Sequence, residues 1–419
     1  MNSGFKSAST VLLVLSLLSS WLNAGAQTSI HLDEAIDIAL QNNLRIRSSN
    51  LETERRQQLR KAATEIPKTE IHLTHGQYNS IVKNDNNLTI TQTLPFPTLF
   101  FQRAALEKAR VTSQEMQREA TLNAVVHEVS SVYIQLLYVE ARYQLLLELD
   151  SLLRGLVRAA TIRLETGEAA LLEKIAAETE WNEAKNKLRQ AEADQDIYTN
   201  QLSVLLNHPE PFATTGTLED LPGSPGTNTP QNPLLLYFGQ QVKVAEREKK
   251  AEAAMALPDI TLGFFSQTLI GYQLIDGQEQ YFDSSERFEG FTVGLSIPIW
   301  FVPNRARVKA ASYHEDIARN DYDTYKQSLE GQYDQAMQEY EKTLASLHYY
   351  NDYAVPNAKK MATQNWLAFQ GGEIDYSTYL MNLRTAIGIR EGQLTALRDH
   401  HLAIVRLNYL NGNADIYGK

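Results

Sequence analysis

Two long helix-like stretches, the first without proline and the second with one, constrain this chain more than any other feature. From Gln102 to Leu164 there is no proline and one glycine, Gly155, while apolar residues recur every three or four positions. This run predicts a helix of ~60 residues, roughly 90 Å long, since each residue adds about 1.5 Å. A second such run extends from Asn304 to Phe369, and Pro356 is expected to kink or interrupt it. Helices this long need a coiled coil or a similar array to bury their apolar stripes.

Each long run ends in nearly the same phrase. RLETGEAALLEKI starts at Arg163, and AFQGGEIDYSTYL starts at Ala368. Gly167 and Gly371–Gly372 supply the flexible residues that end a helix. A further helical run of ~40 residues follows each phrase, so each is predicted to be the tip of a long helical hairpin.

Two segments with a period of two precede each hairpin. The predicted strands cover about 69–80 and 87–95 in the first half, and about 259–270 and 288–299 in the second. Apolar residues alternate with threonine, glycine and other small or polar residues, which is typical of a sheet with one apolar face. A soluble antiparallel sheet has the same pattern, so the alternation leaves the surroundings of that face open.

The order helix, strand, strand, long helix, tip, return helix therefore occurs twice, which indicates an internal duplication. The first helices of the two repeats are expected to end near Pro67 and Pro258. The predicted domains are a first repeat at 27–206 with its tip at 163–173, a linker at 207–230 rich in Pro, Gly, Thr and Asn, a second repeat at 231–411 with its tip at 369–380, and a C-terminal tail at 412–419.

Residues 1–26 have the pattern of a cleavable signal peptide. Lys6 supplies the positive charge, Val11 to Leu18 the apolar core, and Ala24–Gly25–Ala26 the cleavage site. Export is therefore expected. The chain has no cysteine, which excludes disulfides, thiolate metal ligands and a lipid anchor on an N-terminal cysteine.

Charge and motifs argue against several other functions. The net charge of −11 argues against nucleic-acid binding, which needs clustered Lys and Arg. The catalytic and nucleotide motifs H-E-x-x-H, G-x-S-x-G, G-x-G-x-x-G and the P-loop are absent, and no catalytic, cofactor-binding or metal-binding residue is predicted. The close histidine pairs, His72 with His75 and His400 with His401, are interpreted as surface residues.

The strand count points to an oligomer. Four strands per chain are too few to close a membrane barrel, for which eight is near the minimum, whereas three chains would supply twelve. A closed barrel leaves no exposed strand edge, so a homotrimer is the simplest arrangement.

The ordered set of motifs resembles the TolC family of outer-membrane efflux channels over almost the whole mature length. The resemblance rests on LDEAIDIALQNN, on the strand-to-helix junctions LPFPTLFFQRA and IPIWFVPNRARVKA, and on the two tips. The tip sequences resemble the heavy-metal branch, which serves copper–silver or cobalt–zinc–cadmium export.

This resemblance implies a mainly α fold with a small β part. It implies a homotrimer with a twelve-stranded barrel in outer-membrane lipid and a helical tunnel in the periplasm, docked on a periplasmic adaptor and an inner-membrane RND transporter. The channel would be a passive duct without a cofactor. The alternatives are a multidrug or type I secretion channel of the same fold and, in another class, a periplasmic coiled-coil adaptor.

The resemblance also suggests functional residues. The expected adaptor-docking tip consists of Arg163, Leu164, Thr166, Gly167, Glu168, Leu171, Phe369, Gly371, Gly372, Glu373, Ile374, Tyr376 and Leu380. The family's entrance aspartates align with Thr378 and Met381, so that gate is not carried over, and Glu173 and Asp375 are the acidic alternatives. The aromatic residues expected at a membrane interface, or alternatively as caps on helix starts, are Phe96, Phe100, Phe101, Trp300 and Phe301.

Overall fold

A computed structural model describes residues 28–77, 82–221, 224–225 and 231–412 of the chain. The predicted signal peptide and most of the C-terminal tail lie outside the described residues. The α-helices are α1 Leu32–Asn42, α2 Leu44–Ala62, α3 Pro97–Glu165, α4 Leu171–Leu206, α5 Pro233–Ala254, α6 Phe301–Tyr349, α7 Val355–Gln370 and α8 Tyr376–Asn411. None of the described helices is both long enough and apolar enough to cross a bilayer.

The described strands form three small sheets. They are β1 Thr28–Ile30, β2 Glu70–His75, β3 Asn86–Leu94, β4 Phe212–Thr214, β5 Asp259–Gln267, β6 Gly271–Ile275, β7 Gln278–Phe282 and β8 Phe288–Ser296. The largest sheet is antiparallel in the order β2-β3-β5-β8, so the pairing of β3 with β5 joins the two sequence repeats.

The four-stranded sheet has two chemically different faces. In an antiparallel pair, residues directly opposite each other point to the same side, so the strand register assigns each residue to a face. One side, the apolar face, carries Ile71, Leu73, Leu88, Ile90, Leu94, Ile260, Leu262, Phe264, Phe291, Val293 and Leu295, together with the polar residues His75, Asn86, Gln92, Ser266 and Glu289. The other, the threonine face, carries Thr74, Thr89, Thr91, Thr93, Thr261, Gly263, Phe265, Gly290, Thr292 and Gly294, together with Glu70, His72, Asn87, Asp259, Gln267, Phe288 and Ser296.

The first hairpin, α3 and α4, has an uninterrupted first helix. Pro97 occupies the first position of α3, where its missing N–H costs nothing. In the second hairpin, the π-helical turn Tyr350–Ala354 separates α6 from α7, and the Val355 N–H donates to the Tyr350 carbonyl, five residues back. The sequence predicts an interruption at Pro356, and the structure has it in the turn of helix just before this residue. Proline has no N–H, so it cannot form the helical hydrogen bond to the carbonyl of the residue four positions earlier.

The chain forms two compact units that cut across the sequence repeats. One contains the segments up to Leu44, Ala124–Asn228 and from Tyr333 onward, and the other contains Arg45–Asn123 and Thr229–Gln332. The long helices α3 and α6 contribute residues to both.

Part of the segment predicted as a linker is built into the first unit. Strand β4 pairs in parallel with β1, and the Tyr133 hydroxyl lies 2.8 Å from the carbonyl oxygens of both Ile30 and Thr215. Strands of three residues are too short to show a period in the sequence.

Several other details differ from the sequence interpretation. The first helix is divided at Asn43 and ends at Ala62, before Pro67. The predicted strand 69–80 is limited to β2, and its last predicted residues, 78–80, lie outside the described part. The segment between β5 and β8, for which the sequence analysis assigns no element, contains the hairpin β6–β7, whose turn places Asp276 and Gly277 at φ 51° and 83°. An Asp-Gly pair is the usual sequence of such a turn.

The interpretation of the histidines was half wrong. His72 and His75 are exposed on β2 as expected. His400 and His401 are buried on α8, where the His400 ring stacks on Tyr340 of α6 at 5.2 Å. Neighbouring residues of a helix can both be buried when helices pack on two sides, and sequence spacing does not reveal this.

The packing of Tyr350 generates a stability prediction. A Cβ atom on Gly392 of α8 would overlap the Tyr350 hydroxyl, whereas a Cβ on Gly388, one turn earlier in α8, would meet nothing within 4 Å. Gly392→Ala is expected to lower the free energy of unfolding by about 1–3 kcal/mol through overpacking. Gly388→Ala, the matched control, is expected to raise it by roughly 0.5–1 kcal/mol through helix propensity. Thermal unfolding of both variants checks this, and equal midpoints would contradict it.

Candidate functional site

The first hairpin tip ends α3 with a left-handed glycine. Gly167 has φ +79°, the Glu168 N–H donates to the Arg163 carbonyl (2.8 Å), and the Gly167 N–H donates to the Leu164 carbonyl (3.1 Å). These two bonds define a Schellman motif, which satisfies carbonyls left open at the helix end.

The second tip repeats this geometry. Gly372 has φ +73°, the Glu373 N–H donates to the Ala368 carbonyl (2.9 Å), and the Gly372 N–H donates to the Phe369 carbonyl (3.2 Å). A Cβ on Gly167 or Gly372 would meet nothing within 4 Å. Glycine is therefore required at both tips for its backbone conformation and not for space.

The two tips differ in how the return helix begins. At the second tip the Asp375 carboxylate accepts the Thr378 N–H at 2.7 Å and caps α8. At the first tip Ala170 occupies the equivalent position and offers no side-chain cap to α4. Hydrogen bonds from the Thr378 side chain and backbone lower the pKa of Asp375. The structure thus gives Asp375 a helix-capping role.

Glu173 also has a local partner. Its carboxylate lies 3.4 Å from Arg163, which reaches back across the first tip and also donates to the Glu168 carbonyl at 3.4 Å. The pair closes the base of the turn. Neither acidic residue expected at an entrance is therefore an isolated charge.

A shared core joins the two hairpins just behind the tips. Residues of α3 and α4 pack there against the first two turns of α8, and the buried members are Leu153, Leu156, Ala160, Ala177, Ala184, Tyr376, Tyr379, Leu380 and Leu383. Tyr376 is 5% exposed and Leu380 8%. Both were expected on the docking surface, and the structure corrects this, because the first hairpin covers that side of α8.

The Tyr376 hydroxyl is unusual within this core. Its oxygen is buried and has no hydrogen-bond partner among the described residues. Burial, together with the nearby Glu173 and Tyr379, raises the pKa of Tyr376 to about 12. The phenol is therefore neutral at physiological pH, and its hydroxyl adds a desolvation cost to the apolar packing of its ring.

Polar contacts reinforce the hairpins. Within the second hairpin, the buried Asn365 side chain of α7 donates to the Tyr379 carbonyl of α8 at 2.8 Å. Between the hairpins, Arg384 Nε of α8 donates to Glu180 of α4 at 2.8 Å, and Arg390 of α8 donates to Glu148 of α3 at 3.0 Å. Glu180 is mostly buried, so its ion pair is shielded from salt more than a surface pair would be.

The exposed part of the tips is smaller than the sequence suggested. Of the residues expected to dock a partner, those exposed are Thr166, Gly167, Glu168, Leu171, Gly371, Gly372 and Glu373, and those partly buried are Arg163, Leu164, Phe369 and Ile374. Sequence reasoning left out the exposed apolar residues Ile162, Ile175, Trp366, Leu367 and Met381. The available signal at the second tip was the adjacent apolar pair Trp366–Leu367, which is 45% and 54% exposed just before the turn.

The junction aromatics lie where strands lead into helices. Phe96 precedes α3 and Trp300 precedes α6, while Phe100, Phe101 and Phe301 lie in the first turns. Trp300 is 79% exposed, Phe101 and Phe301 are also well exposed, and Phe100 is partly buried. The exposed rings do not cover the helix starts, which disfavours a capping role for them.

Within the described part of the chain, no group of three or more His, Asp or Glu side chains is placed to hold a metal ion.

The Asp375 cap predicts a local effect of pH. A carboxyl whose pKa is lower in the folded protein contributes stability above its unfolded pKa, and this contribution is lost as the pH falls through the folded pKa. We expect Asp375→Ala to speed hydrogen exchange at the Thr378 amide at neutral pH, and wild type to approach the variant below about pH 4. Ala170→Asp is the converse control, because the new carboxylate is expected to cap α4 and to slow hydrogen exchange at the Glu173 amide. Unchanged exchange in Asp375→Ala would contradict the capping role.

The orphaned hydroxyl of Tyr376 predicts opposite results for two substitutions. Tyr376→Phe keeps the ring and removes the unsatisfied oxygen, so thermal stability is expected to stay equal or rise. Tyr376→Ala leaves a cavity and is expected to cost about 3–5 kcal/mol. Thermal unfolding measures both. A clear loss of stability in Tyr376→Phe would show that the hydroxyl has a partner.

Comparisons with known proteins reveal similarity at the level of fold. Neither a protein-family model nor a curated protein sequence matches this chain. Among solved structures, CusC, described in terms of transmembrane channel formation, is similar with a TM-score of 0.75 at 16% identity, over 92% of both chains.

Two further structures agree. The Neisseria gonorrhoeae MtrE outer-membrane channel gives a TM-score of 0.73 at 16% identity, over 91% of this chain and 89% of that one. The Vibrio cholerae outer-membrane protein VceC gives 0.72 at 14% identity, over 91% and 96%. These neighbours are channel or outer-membrane proteins of the TolC type. At such low identity the likeness establishes the fold, and the chain has the TolC-like fold expected from its sequence, with long helical hairpins and a small sheet.

Proposed function

We propose that this chain is the outer-membrane channel of a tripartite efflux pump, a passive exit duct for substrates that an inner-membrane RND transporter delivers through a periplasmic adaptor. The single observation that carries the proposal is the two-faced sheet attached to two long helical hairpins.

The apolar face of the sheet is suited to lipid. Phe291 is 85% exposed, Val293 75% and Leu73 72%, and they belong to a face on which most residues are large and apolar. A surface of this kind is costly in water, whereas in a bilayer it is the favoured side of a strand. The threonine face is suited to a water-filled lumen.

The edges of the sheet favour a homotrimer. Strands β2 and β8 are its outer strands, and each presents a row of N–H and C=O groups without a partner strand in the sheet. Within lipid such an edge must be paired. Three copies, with β8 of one paired to β2 of the next, would close a twelve-stranded barrel.

The exposed junction aromatics fit the same arrangement. Trp300, Phe301 and Phe101 lie directly after strands, at the level where a barrel would meet water. Aromatic rings are favoured at that boundary. We infer that they mark the periplasmic rim of the membrane and that the helical hairpins extend into the periplasm.

The exposed tip residues form the proposed adaptor-docking surface, whose apolar members at the first tip are Leu171 and Leu172. Leu172 is 74% exposed beside the left-handed Gly167. These apolar side chains can be buried against a partner helix, and the charged Glu168 and Arg163 beside them can fix the orientation of that helix.

For the cargo we propose heavy-metal cations, on the strength of the tip sequences. Drug-like compounds or secreted proteins are the alternative cargoes for the same fold. The adaptor alternative is not favoured, because it gives no role to a sheet with an exposed apolar face and open edges.

A gene deletion tests the function. Cells lacking the gene are expected to accumulate copper, silver, zinc, cobalt or cadmium after a sublethal challenge, while their content of hydrophobic drugs stays at the wild-type level. The intact gene should restore export and Leu172→Asp should not, because a charge would be buried at the tip. Thr179→Asp, an exposed change two turns further along α4, is the matched control and should restore export.

The outcomes separate the parts of the proposal. Accumulation of drugs with unchanged metals would keep the channel and reject the metal cargo. Full rescue by Leu172→Asp would reject the docking surface. Recovery of the protein outside the outer-membrane fraction would reject the channel itself.

A further inference from the structure

We propose that Gly290 keeps the bore of the barrel wide by leaving room for the Phe265 ring to lie against the wall. This inference rests on the proposed channel function, because it treats the threonine face as the lining of a water-filled lumen.

Phe265 is a large side chain with small residues directly opposite it on both neighbouring strands. These direct partners are Thr89 on β3 and Gly290 on β8. On the same face of β5 and β8, Gly263 and Thr292 oppose each other on one side of this pair, and Gln267 and Phe288 on the other. Phe265 is thus larger than the residues directly opposite it, and the direction of its ring decides how far the wall projects at this level.

The structure places that ring over Gly290. A Cβ atom built on Gly290 would lie 2.6 Å from Cζ and 2.7 Å from Cε1 of Phe265. These distances are far below ordinary carbon–carbon contact, so the ring occupies the space that a side chain at 290 would need. The ring therefore lies along the sheet, across the neighbouring strand, in the cross-strand pairing by which an aromatic ring covers a strand glycine.

This packing has a consequence for transport. Any side chain at position 290 must displace the ring, and on the lumen side the open direction is away from the wall. Three copies would then present three rings at one level of the barrel. Three displaced rings would narrow the lumen at that level. Glycine at 290 avoids the constriction.

The same strand supplies a matched control. Gly294 lies on the same face of β8, four residues from Gly290, and a Cβ there would meet Thr261 at 3.5 Å, an ordinary contact. Gly294→Ala therefore adds the same methyl group to the same face without displacing a ring.

Single-channel conductance of the purified protein in planar bilayers tests the inference, with assembly checked by native electrophoresis. Gly290→Ala is expected to lower the conductance roughly twofold, as the pore diameter falls. Gly294→Ala is expected to match wild type. The double variant Phe265→Ala/Gly290→Ala is expected to regain wild-type conductance, because the displaced ring is gone.

Phe265→Ala alone keeps the inference testable if Gly290→Ala fails to assemble. We expect its conductance to stay close to wild type, because the ring already lies on the wall. A large increase would mean that the ring projects into the lumen of the wild type, and would overturn the inference. An assembled Gly290→Ala channel with unchanged conductance would overturn it as well. A wild-type protein without any conductance would instead reject the proposed channel function, and this inference with it.

Discussion

The alternation of apolar with small or polar residues along the four strands is the constraint on which the rest of the structure depends. Because successive side chains point to opposite sides, the sequence divides into an apolar face and a threonine face, and burial of the apolar face needs something other than this chain's own core. The open edges at β2 and β8 impose a second demand, which further strands must meet. Lipid and additional copies would meet both demands, and this is the basis of the trimeric barrel that we propose.

The tips show how a duplicated unit acquires different roles in its two copies. The Schellman geometry at Gly167 and Gly372 is common to both, so the turn itself is a property of the repeat. The residues that follow have diverged. Asp375 caps α8 and Tyr376 is buried behind it, while the equivalent residues of the first tip, Ala170 and Leu171, leave an uncapped helix and an exposed side chain. The second tip is thus built as a fixed support, and the first offers the more accessible apolar surface.

The sequence reveals the elements of this fold better than their packing. Long helices follow from the absence of proline, and the strands follow from alternation, since both signals are local. Asp375 also carried a local signal, because an aspartate just before a helix can accept the backbone N–H three positions later. The sequence analysis instead interpreted this residue as an acidic group at the channel entrance. The burial of Tyr376 and of His400 could not be predicted, because it depends on where a second hairpin or helix lies. Strands as short as β4 carry too few residues for any period.

Spin labels along β8 test the central claim most directly, that the apolar face meets lipid and the threonine face meets water. The chain has no cysteine, so a single cysteine can be introduced and labelled at each position from 291 to 295 in turn. After reconstitution into lipid vesicles, the account predicts that 291, 293 and 295 are accessible to oxygen, which concentrates in lipid, and that 292 and 294 are accessible to a water-soluble nickel chelate. An alternation with a period of two would support the barrel. Equal access of the nickel chelate to all five positions would contradict it and would leave a sheet in water.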